Sequence, residues 1–71
     1  MPKKLTWMDS EEIGILLHKK MPDVDPLTVR FTDLRDRVIG LEGFGDDPGA
    51  SGEARLEAIQ MAWLEEYQDA Q

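Results

Sequence analysis

The chain has 71 residues, no cysteine, and fifteen Asp and Glu against eight Lys and Arg, giving a formal charge of -7. One small domain is expected, burying about 60% of the surface its unfolded chain exposes and drawing roughly 3–5 kcal/mol from its core. The same figures exclude a disulfide framework, a thiolate metal site and a cysteine nucleophile. They also disfavour nucleic acid as a partner, because that binding relies on Lys and Arg to neutralise phosphates.

An acidic surplus of this size favours a basic protein surface or a hard cation instead. The opening MPKKLTWMDS has no apolar run of signal-peptide length, and no later stretch nears the ~20 apolar residues of a membrane span. A soluble, cytoplasmic monomer is the expectation.

In chain order, Leu5 and Trp7 alternate with Lys4 and Thr6 too briefly for a strand, and Trp7 is expected to plug the core and fasten the N-terminal arm. Residues 1–6 otherwise read as frayed. Asp9 as N-cap with Glu12 three positions on forms a capping box, with Met8 and Ile13 as its hydrophobic staple. The first helix buries Ile13, Leu16, Leu17 and the stem of Lys20, while Gly14 permits close packing. His18 lies away from that stripe and reads as a surface residue.

Pro22 ends this helix. Asp25 before Pro26 suits an N-cap followed by the favoured first helical position, so a single helical turn follows. Val29 and Phe31 point inward from an extended connector. Thr32 is the next N-cap, opening a helix from Asp33 to about Leu41 that turns Leu34, Val38 and Leu41 inward and ends at Gly40 and Gly43. The segment EGFGDDPGASGE is a loop. It lacks the Lys of a phosphate loop and the ligand spacing of an EF-hand.

The longest helical pattern is SGEARLEAIQMAWLEEY, from Ser51 as N-cap to Tyr67. At 100° per residue Leu56, Ile59, Gln60, Trp63, Leu64 and Tyr67 share one side, and Glu57, Met61 and Glu65 fall opposite. Residues 68–71 read as frayed. Three helices with short connections make an all-α, small three-helix bundle, winged-helix-like without a developed wing.

No nucleophile and base pair up in sequence, so an enzyme is not indicated. Clustered carboxylate is what remains: Glu42, Asp46, Asp47 and Glu53 around the last loop, and Asp9, Glu11 and Glu12 at the first helix. Oxygen-only sites of this kind hold hard divalent cations weakly and exchangeably.

W-x-D-S-x-E-I from Trp7 to Ile13, P-D-V-D-P-L-T-V-R-F-T-D-L from Pro22 to Leu34, G-F-G-D-D-P-G-A-S from Gly43 to Ser51 and L-E-A-I-Q-M-A-W-L-E-E from Leu56 to Glu66 together resemble the IscX family of iron–sulfur cluster assembly proteins. The resemblance runs in order over nearly the whole chain. It implies a three-helix, winged-helix-like accessory protein rather than an enzyme. It further implies that an acidic surface binds an IscS-type cysteine desulfurase, that ferrous iron is bound weakly with no tightly held cofactor, and that cluster formation is modulated.

Carried over by position, the implied partner-binding residues are Asp9, Glu12, Asp33, Asp46 and Asp47, and the implied iron ligands are Glu42, Asp46 and Asp47. Two positions depart from the family pattern. Gly45 stands where a carboxylate is common, weakening an iron site, and Arg37 replaces a common tryptophan, which is expected to put positive charge beside the acidic surface. Because an exposed loop contributes little burial, reversing the charges of Asp46 and Asp47 is expected to weaken docking more than folding.

Overall fold

The computed structural model describes residues 4–70. Three helices form among them: α1 (Ser10–Lys20), α2 (Phe31–Ile39) and α3 (Glu53–Asp69), with single 3₁₀ turns at Pro26–Thr28 and Pro48–Ala50. No strand longer than an isolated bridge occurs among the described residues. The expected all-α bundle is therefore what forms.

The pairing of α1 with α3 dominates the packing, and Gly14 makes it possible. A Cβ built on Gly14 would lie 2.7 Å from the Trp63 amide nitrogen and 2.8 Å from the Ala62 carbonyl carbon, so the two backbones touch where a side chain would hold them apart. Around that contact Ile13, Leu17, Leu34, Val38, Ile59 and Trp63 are fully buried, and Leu5, Trp7, Leu41 and Leu56 nearly so. Lys20, whose stem was expected in the α1 stripe, is exposed.

The helix starts obey burial before capping. Asp9 is the N-cap of α1, yet its Oδ2 accepts from the Thr6 amide (3.0 Å) and hydroxyl (3.3 Å), not from the helix. Met8 is 66% exposed, so the staple does not form either. In α2 the helix begins at Phe31, and Arg30, not Thr32, is the cap residue; its carbonyl accepts from the Leu34 amide at 2.8 Å. Packing the half-buried Phe31 ring against the core outweighs the threonine cap. In α3 the N-cap is Gly52, because Ser51 closes the preceding 3₁₀ turn.

The N-terminal arm is held rather than frayed from residue 4 onward. The Leu5 amide donates to the Gly43 carbonyl at 2.8 Å and the Leu5 carbonyl accepts from the Gly45 amide at 2.9 Å. Gly43 takes a positive φ of 91°, which glycine adopts without steric cost. Residues 1–3 of the expected frayed segment lie outside the described residues. At the other end α3 continues through Asp69, so Gln68 and Asp69 are helical, and residue 71 lies outside the description.

Candidate functional site: the acidic surface and the loop carboxylates

Asp46 and Asp47 sit where the loop meets the arm, and their oxygens have local work. Asp46 Oδ2 accepts from the Trp7 amide at 3.1 Å and Oδ1 from the Asp47 amide at 2.8 Å. Asp47 Oδ1 accepts from the Gly49 amide at 2.9 Å, and its carbonyl takes the Trp7 indole N–H at 2.7 Å. The Trp7 ring meets Phe44 edge-on with centroids 4.9 Å apart. Trp7 is thus the expected core plug, and the Asp46 carboxylate with the Asp47 backbone carbonyl is its clasp.

These residues do not fit a resident iron ion. Three of the four Asp46 and Asp47 carboxylate oxygens already accept from backbone amides, and among the described residues no three His, Asp or Glu come together as a ligand group. Glu42 is exposed and does not complete one. At Gly45, where a side chain would add a carboxylate, the stem of Lys4 fills the space, its Cδ lying 2.6 Å from where a Cβ would stand.

A different set of carboxylates gathers at the other helices. Glu11, Ile15, Ala62, Glu65 and Glu66 line a groove of about 220 Å³ between α1 and α3. Met8, Asp9, Ser10, Glu11 and Glu12 line a second depression at the start of α1. Glu11 belongs to both, so they join into one surface carrying Asp9, Glu11, Glu12, Glu65 and Glu66, with exposed Met8 and 37%-exposed Ile15 among them. Among the described residues no Lys or Arg lines either part.

A profile of the iron–sulphur cluster assembly family matches residues 5–68, nearly the whole described chain. The chain belongs to the IscX family. It is also 55% identical over 62 residues to an uncharacterized protein of Pseudomonas aeruginosa, covering 87% of this chain and 94% of that one.

Of the residues carried over from the IscX pattern, Asp9 and Glu12 fall on the joined acidic surface. Asp33, exposed in the first turn of α2, and the clasp pair Asp46 and Asp47 do not line it. Glu11, Glu65 and Glu66 were missed as a set. The signal was Gly14: a glycine inside a helix marks a close approach, and Glu11 and Ile15 flank it on α1.

Arg37 does not stand beside this surface either. Its Nη1 reaches Met21 Sδ at 2.8 Å, just past the last turn of α1, whereas Glu11 is in the first. Ten helical residues separate those ends by roughly 15 Å, about two Debye lengths at physiological salt. His18 also departs from expectation: it is half-buried, and its Nδ1 is enclosed with no hydrogen-bond partner among the described residues. No described helix is long and apolar enough to cross a membrane.

Proposed function

We propose that the chain is a non-enzymatic accessory protein of iron–sulfur cluster assembly that docks, as a cytoplasmic monomer, on a basic face of an IscS-type cysteine desulfurase. The observation that carries this is the joined acidic surface of α1 and α3, where Glu11, Glu65 and Glu66 share a groove with Ile15 and no described cation offsets them. A surface lined by carboxylates, with Ile15 and Met8 among them, suits a partner patch of the opposite sign, the charge giving encounter rate and register. Family membership supplies the pathway, and the surface supplies the means of contact. We assign the Asp46–Asp47 loop no resident iron, since its carboxylates already accept from the arm amide of Trp7 and from the loop's own amides.

Titration calorimetry against a purified cysteine desulfurase tests the reading. Affinity should fall as salt rises past the point where the Debye length is ~8 Å. Glu11→Lys with Glu65→Lys, both exposed, should lose at least about tenfold in affinity while the melting temperature moves little, as surface changes generally do. Binding that ignores both salt and this double substitution would overturn the proposal.

A further inference from the structure

At the opposite end of α1 the surface changes sign. Leu16, Lys19, Lys20, Leu41 and Glu42 line a depression of about 330 Å³ between the last turns of α1 and the segment after α2. Leu41 is 7% exposed and Leu16 half-buried, so the floor is apolar and anchored in the core. Lys19 and Lys20 are exposed on its rim. The ion pair formed between described residues is Arg35 with Asp36, so no described carboxylate, Glu42 included, engages either lysine.

We propose that this depression is a second docking surface, which takes a short acidic segment of a partner protein with one apolar side chain seated on Leu16 and Leu41.

Charge complementarity fixes the sign of the occupant. The chain has eight Lys and Arg against fifteen acids, yet it sets two lysines side by side here, and the Arg37 guanidinium contacts Met21, the next residue along. Size fixes its form. About 330 Å³ is the lower end of the range for small-molecule pockets, enough for one anchoring side chain. Net charge excludes a whole acidic domain as the favoured occupant, because a second body of like charge repels a chain of -7 more than a few tethered carboxylates do.

Lysines in the last turn of a helix also complement its dipole. That role predicts an effect on melting temperature, whereas docking predicts an effect on binding.

The test uses the full chain and a fluorescein-labelled peptide, DELEDL, with DEGEDG and KRLKRL as controls, followed by anisotropy and backbone amide shifts. DELEDL should bind, with shifts confined to the ends of α1 and α2 around residues 16–20 and 41–42, and DEGEDG should bind more weakly. Lys19→Glu with Lys20→Glu should cut DELEDL affinity by about tenfold, and Glu42→Gln should raise it roughly twofold by removing a like charge from the rim. Shifts centred on Glu11 or Glu65, equal binding of DEGEDG, or an affinity unchanged in the lysine variant would overturn the proposal. So would concentration-dependent self-association that the lysine variant abolishes, since the occupant would then be a second copy of this chain.

Discussion

The acids of α3 stand where helix electrostatics penalise them, and that makes the docking proposal testable by stability as well as by binding. α3 has no basic residue in its last turn, and Glu66 and Asp69 lie there, at the negative end of the helix dipole. An anion so placed costs roughly 0.3–1 kcal/mol at the surface. Glu65 adds an i,i+4 repulsion with Asp69, worth about 0.2–0.5 kcal/mol, and it shares the groove with Glu11. Glu65→Gln with Glu66→Gln should therefore stabilise the fold by about 0.5–1.5 kcal/mol, and at ~4–8 °C per kcal/mol for a domain of this size the melting temperature should rise by several degrees. The same variant should bind the desulfurase several-fold more weakly. Circular-dichroism melts and calorimetry on one preparation give both numbers. A variant that loses stability, or gains it without losing affinity, would show that these carboxylates are not held in place by docking.

Four further outcomes follow from the packing. Asp46→Ala leaves the Trp7 amide without its charged acceptor, a loss of about 1.5–3 kcal/mol, so exchange at that amide should accelerate and the melting temperature fall; Asp46→Asn, keeping an oxygen, should fall less. Gly14→Ala places a methyl 2.7 Å from the Trp63 nitrogen and should cost about 1–3 kcal/mol in urea titrations despite alanine's better helix propensity. Trp63→Phe leaves a void but also removes an indole N–H buried without a partner among the described residues, so its cost should stay well under the ~3–5 kcal/mol of a truncation to alanine. Gln60→Ala breaks the side-chain hydrogen bond to the Pro26 carbonyl at 3.1 Å and should cost about 0.5–1.5 kcal/mol, read as a lower denaturation midpoint.

The helices were legible because their signal is local. Leu56, Ile59 and Trp63 recur at helical spacing and are the buried residues of α3, and the expected outward Glu57, Met61 and Glu65 are exposed. Helix ends were less so. Phe31 belongs to α2 because its ring reaches the core, a tertiary fact that no cap preference at Thr32 reveals. One local signal was read at one place and missed at another. Asp25 before Pro26 reads as the cap of a single helical turn, which forms as a 3₁₀ turn with the Asp25 Oδ1 accepting from the Leu27 amide at 3.0 Å. Asp47 before Pro48 repeats the device with the Gly49 amide at 2.9 Å. Had that second pair been read the same way, Ser51 would have fallen at the end of a turn rather than at the start of a helix.

The site was harder to read, because counting carboxylates does not say what each one faces. Asp46 and Trp7 are 39 residues apart, and nothing local marks Asp46 as the arm's acceptor, so an acidic loop passed for a binding loop. The expectation that reversing Asp46 and Asp47 weakens docking more than folding now meets a competing cost, because the Asp46 carboxylate holds the arm that seals the core with Trp7. Conversely, in sequence Glu11 groups only with Asp9 and Glu12, and Glu65 falls on the outward side of another helix; the contact at Gly14 is what brings those two helices together. Gly14 therefore governs more than packing. Any side chain there that pushes α1 from α3 must also widen the groove and dilute its charge, so Gly14→Ala should weaken desulfurase docking beyond what its loss of stability explains.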